Sequence, residues 1–162
     1  MGMGVATLFS FVFGYLLIMS LNLGLAYEIG RRRNSPNNIG IYYQRALVIN
    51  FIVCAFLITP ILYISKKIVI LFVHIDEYLA IIISDYLFQL APSIYLFAFY
   101  DTTQTFLLAQ GHYLAALVIN IFGFFCHFFF IGHLGAAWSK NLTDCGRCIA
   151  IYLHLALRPK KL

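Results

Sequence analysis

Residues 1–27 contain no charged side chain, and four more apolar stretches follow before the chain ends at Leu162. A run of that length leaves few choices. A helix of about 20 apolar residues crosses the roughly 30 Å hydrocarbon core of a bilayer, and its backbone groups are then satisfied within the segment. A secretory signal peptide would carry a basic start and a shorter apolar core, and the first segment has neither. The Met1-Gly2 start does not meet the myristoylation pattern, because Ala6 stands where Ser or Thr is required.

Composition agrees. Hydrophobic residues make up 62% of the 162 positions and charged residues 10%, against about 25% charged in ordinary soluble domains. The mean hydropathy is +0.88. A soluble enzyme and a disordered chain are both excluded. The length leaves room for about five or six spans and no sizeable soluble domain. The formal charge is +5, from eleven Lys/Arg and six Asp/Glu. These bases flank apolar runs, where they fix topology, so nucleic acid is not expected as a partner.

The expected fold is an all-α integral membrane protein of about five transmembrane helices. The first span covers 5–27 and is followed by Glu28, the arginines at 31–33 and a turn-forming cluster at 34–38. The second, 46–65, closes on Lys66 and Lys67, and His74, Asp76 and Glu77 mark the aqueous side again. The third, 79–110, is longer than a bilayer needs and contains Asp85, Pro92 and Asp101, so it is expected to tilt, kink or project into water. Gly111-His112 breaks the pattern before a fourth span, 113–131. The fifth, 135–157, carries Lys140, Asp144 and Arg147 in its first half and crosses only if that polar side faces protein or water. Residues 1–157 thus read as one transmembrane unit and 158–162 as a short basic tail.

Parity orients these spans. With five crossings, Arg31, Arg32, Arg33, Arg45, Arg158, Lys160 and Lys161 share one side, against Lys66, Lys67 and Lys140 on the other. The excess of bases assigns the 31–33 loop and the C-terminus to the cytoplasm.

Ionisable groups at membrane depth are the first candidates for function. Asp101 lies about 14 Å along its helix before the Gln110-Gly111 turn, with Gln104 and Thr105 on the same face. It reads either as a site for a proton, Na⁺ or a cationic amine, or as an acid at the wet end of an overlong span. Asn120 and His127 stand seven residues apart on nearly one face of the fourth span. They line a cavity or serve interhelical packing. Asp85 is nearer an interface. The Cys145-Gly-Arg-Cys148 motif lacks the second ligand pair of a zinc site, which His133 and His154 would have to supply, and the βαβ setting of a redox motif. It reads as helical thiols in packing, and neither a metal nor a cofactor is expected. The sequon at 141–143 falls too close to the membrane for use.

The order of local patterns carries a resemblance. Ala91-Pro92, then Phe99-Tyr100-Asp101, then Phe106-Leu107-Leu108-Ala109-Gln110-Gly111 resembles the fourth helix of the multidrug and toxic compound extrusion (MATE) family. Gly30 with the following bases, Tyr42 and Tyr43-Gln44-Arg45-Ala46 are similar to that family's loop between helices two and three. Leu117-Val118 and Asn120 with His127 resemble helix five, and Gly135-Ala136-Ala137 the start of helix six. The five spans then correspond to helices two to six of one lobe, with no counterpart for helix one or the second lobe. Other departures are Leu23 and Tyr27 at the family's Thr and Gln positions, Gln104-Thr105 at its basic pair, Ile131 at a polar position, and a shortened connection before Gly135.

The resemblance implies an antiporter that exports organic cations or other xenobiotics in exchange for H⁺ or Na⁺, built from two six-helix lobes related as parallel repeats. Asp101, Gln104, Asn120 and His127 are the transport-pathway candidates. The expected partners are the lipid bilayer, such solutes, and a missing lobe or second copy. The chain is then a fragment or truncated member. The alternatives are a non-transporting remnant or half-transporter needing a partner lobe, and, ranked last, an intramembrane enzyme, for which no nucleophile–base pair is visible.

Overall fold

The computed structural model describes residues 2–31, 39–73 and 76–157, apart from the side chains of 2, 3, 73, 129–136 and 157. Arg32, Arg33, the turn cluster at 34–38, His74 and the basic tail at 158–162 lie outside the described residues, and so does the side chain of Ile131. Among those described, every element is helical and no strand occurs.

The first rod joins α1 (Gly2–Ser10) to α2 (Leu16–Arg31) through a π-helical turn at Phe11–Tyr15. The second joins α3 (Ile39–Val53) to α4 (Thr59–Tyr63) through another at Cys54–Ile58. Pro60 explains the second turn. A proline ring clashes with the carbonyl four residues back and offers no N–H, and here the helix widens just ahead of it. Thr59 N–H and Thr59 Oγ1 both reach the Cys54 carbonyl, the hydroxyl at 2.8 Å. The two π turns touch each other, and at Gly14 an added Cβ would lie 3.1 Å from Ile94 Cδ1. The absence of a side chain at Gly14 is what allows that approach.

After the break at Ile64, α5 (Ser65–Val73) folds back along the start of α6 (Glu77–Ala109), and Lys66 pairs with Glu77 at 3.0 Å. The 33 residues of α6 give it a length of about 50 Å. It runs unbroken through Pro92 and touches every other helix. It ends in a turn in which Gly111 takes φ 88° and the N–H groups of Gly111 and His112 reach back to Leu108 and Leu107, the glycine-closed helix end expected at this position.

The last element, α7, is helical over Tyr113–Leu157. A straight helix would separate Asn120 from Arg147 by about 40 Å. Yet Tyr100 of α6 bonds Asn120 and lies under the Arg147 guanidinium. The chain therefore doubles back, and α7 forms two antiparallel arms, Tyr113–Phe128 and 137–157. The reversal lies where the sequence expects the turn between its fourth and fifth spans.

Three helical stretches among the described residues are long and apolar enough to cross a membrane: Gly4–Arg31, Ile39–Tyr63 and Glu77–Ala109. Tyr113–Phe128 is a shorter apolar helix. The second arm of α7 falls short in apolarity because of Lys140, Asp144 and Arg147. The main core, from Ala6 and Phe9 through Cys54 and Ile58 to Leu87 and Ile94, lies between the two rods and the first half of α6. Leu25, Ile29, Ile39 and Phe106 gather the end of α2, the start of α3 and the end of α6 at one pole of the molecule.

Candidate functional site

Two polar nodes are built on α6, one toward α2 and α3 and one toward the arms of α7. Successive helical residues point about 100° apart, and Tyr100 and Asp101 open in different directions.

The first node joins α2, α3 and α6. Asn22 Nδ2 donates to Asp101 Oδ2 at 2.7 Å, and Asn50 Nδ2 donates to Asn22 Oδ1 at 2.8 Å and to Thr102 Oγ1 at 2.7 Å. Thr102 passes its own proton to the Ala98 carbonyl. Asn22, Asn50 and Thr102 are buried, Asp101 half-buried, and Asn50 Oδ1 has no partner. At the next residue of α6, Tyr43 donates to Thr103, which donates to the Phe99 carbonyl. The acid is thus fixed by an amide on a different helix. Gln104, on the face expected to support Asp101, is half-buried and bonds nothing among the described residues.

The second node joins the first rod, α6 and both arms of α7. Asp144 is fully buried. Its Oδ2 accepts from Ser93 Oγ at 2.5 Å, and Ser93 in turn accepts from the Tyr15 hydroxyl at 3.1 Å. Its Oδ1 accepts from Lys140 Nζ at 3.2 Å and from Arg147 Nη1 at 3.4 Å. The i+4 and i+3 spacings put all three charges on one helix face, and that face packs on protein, as the sequence requires if the segment crosses. The Arg147 stem crosses Gly123 of the other arm so closely that any Cβ there would overlap it. Lys140 Nζ stands over the rings of Tyr15 and Phe97, 5.4 and 5.9 Å from their centroids.

The remaining sequence candidates sit on this flank. Asn120 Oδ1 accepts from Tyr100 at 2.8 Å. His127 Nδ1 is 3.2 Å from Ser139 Oγ and 3.4 Å from Thr143 Oγ1. His127, but not Asn120, lines a cavity of about 490 Å³ with Lys140, Tyr15, Phe97, Tyr86 and Met19 among its walls. The four candidates therefore divide: Asp101 bonds the first rod, Asn120 bonds α6, His127 joins the arms of α7, and Gln104 belongs to neither node. Asn141 donates to the Gln89 carbonyl at 2.9 Å, so the sequon asparagine is engaged with α6. Cys148 donates to the Leu96 carbonyl and Cys145 is exposed.

Residues that the sequence reading passed over matter most here. Asn22 and Asn50 are the only carboxamides within their predicted spans (5–27 and 46–65), which was a readable signal. Asp144, Lys140 and Arg147 were visible as a charged face without any indication of what satisfied them.

Residues 2–131 match the MatE family. Over 159 aligned residues the chain is 29% identical to Protein DETOXIFICATION 35 of Arabidopsis thaliana. That alignment covers 90% of this chain and 31% of the plant protein, so the chain spans about a third of its relative's length.

Proposed function

The chain belongs to the MatE family and is an integral membrane protein, and from that premise we propose that it forms part of one lobe of an antiporter. The solutes are organic cations or other xenobiotics, and the counter-flow is H⁺ or Na⁺. The other lobe comes from further sequence or from a second copy. Membership speaks for transport rather than catalysis.

The observation that carries this reading is the Asp101 node. An acid at membrane depth is costly, and it is retained where it has a partner and a task. Asp101 ties α6 to α2 through Asn22, and Asn22 ties both to α3 through Asn50. Loading a proton or Na⁺ on the carboxylate changes its charge and hence its hold on the Asn22 amide. Two arrangements that differ in that hold differ in ion affinity, which is the requirement for coupled exchange. In this reading Gln104, Asn120 and His127 line the remainder of the path.

The end of the molecule that holds Ile29, Ile39 and Phe106 is assigned to the cytoplasm. The arginines beside it support this through the positive-inside rule.

The test uses vesicles that contain the chain and are loaded with fluorescent aromatic solutes of either charge. Efflux driven by an imposed pH or Na⁺ gradient is expected, with Asp101→Asn abolishing the gradient dependence. Efflux that ignores both gradients overturns antiport. Unchanged efflux in Asp101→Asn removes that residue from the mechanism. Efflux that appears only when a second lobe is co-reconstituted identifies a half-transporter.

A further inference from the structure

Charge does not balance around Asp144. Lys140 and Arg147 share its Oδ1, Ser93 occupies its Oδ2, and Tyr15 caps Ser93. Among the described residues no second carboxylate pairs with either base. Among these groups two positive charges face one carboxylate, and both bases are more than two-thirds shielded from water, where an ion without a counter-charge is costly. The two bases are placed differently. Arg147 is wedged between Gly123 and the Tyr100 ring, where its buried Nε finds no partner among the described residues, and it lines no part of the cavity beside His127. Lys140 lines the cavity of about 490 Å³, with His127 also in its wall. An ammonium has three N–H donors, and of these Lys140 gives one to Asp144. The other walls include Phe11, Tyr15, Met19, Leu90 and Phe97. That volume falls within the roughly 300–1,000 Å³ of small-molecule sites.

We infer that this cavity is a binding site for a small organic anion: an apolar, preferably aromatic body bearing one carboxylate, sulfonate or phenolate that pairs with Lys140. The anion completes the charge balance that Asp144 leaves open, and its body takes the apolar walls. A cation entering the same space meets an ammonium and a carboxylate that already accepts from three groups, Ser93, Lys140 and Arg147. As a substrate class this rests on the transport reading above; as a binding site it stands without it.

The test is binding, measured on the full chain in nanodiscs against empty nanodiscs, using the fluorescence anisotropy of 1-naphthoate and of 1-naphthylmethylammonium. The naphthoate is expected to bind about ten-fold tighter or more than the ammonium, which has the same ring system. Lys140→Met is expected to lose at least about ten-fold, and Lys140→Arg to retain binding. Because Lys140→Met also disturbs the Asp144 node, Met19→Trp serves as a second variant: it fills the cavity from its exposed rim and is expected to abolish binding. Equal or tighter binding of the ammonium overturns the proposal. So does naphthoate binding that survives both Lys140→Met and Met19→Trp. Naphthoate binding without gradient-driven efflux leaves the site standing and overturns only the transport reading. Efflux with no naphthoate binding does the reverse.

Discussion

At Gly123 one methyl group decides how closely the arms of α7 approach. The Arg147 stem occupies the space that a Cβ would need. Gly123→Ala is expected to displace Arg147 and to cost about 1–3 kcal/mol, the usual range for overpacking. Unfolding in mixed micelles, followed through the single tryptophan, Trp138, checks this. In an Arg147→Ala background the same change is expected to cost much less, because its collision partner is gone. Asn22 supports a second prediction. Asn22→Leu removes the donor to Asp101 and the acceptor for Asn50, and a loss of about 1–3 kcal/mol is expected in the same assay. Legibility differs between these residues. Asp101 stood out because a carboxylate in an apolar run is conspicuous. Asn22 and Asn50 did not, since a neutral amide lowers hydropathy only slightly and its partners lie 79 and 28 residues away.

Among the elements, α6 was read almost to its ends from sequence, because a long apolar run bounded by Glu77 and a glycine turn admits few alternatives. The π turns were not. Pro60 marks a disturbance near the second, but apolar periodicity carries no trace of the one extra residue per turn in either. The second arm of α7 was legible only as a condition: its charges had to face protein, but nothing local named Ser93 and Tyr15 as the groups they would meet. That arrangement makes Asp144 the critical charge. Asp144→Asn leaves two bases without a carboxylate and is expected to destabilise the protein by about 3–5 kcal/mol, the range for breaking a buried pair. Lys140→Met leaves Asp144 paired with Arg147 and is expected to cost less. Unfolding of both variants under one set of conditions checks the order, and a reversed order would mean that Asp144 is not the organising charge.

For the molecule as a whole, the crossing pattern makes a simple prediction. With the native cysteines replaced, a cysteine at exposed Lys67 and one at exposed Tyr113 are expected to react with an impermeant maleimide from opposite sides of a sealed vesicle. Tyr113→Cys is expected on the cytoplasmic side. Labelling of both from one side would break the parity argument. The architecture was legible at this scale because lipid imposes the same demand on every span. The gathering of groups at α6 was not, because it depends on which spans become neighbours. That gathering has a mechanical consequence. To α2 and α3 that helix is moored through Asp101, Thr102 and Thr103, and to the two arms of α7 through Ser93, Leu96 and Tyr100. Both sets of moorings are borne by one unbroken helix, so any shift of α6 that remakes one set must be accommodated by the other, and neither side can be reset alone.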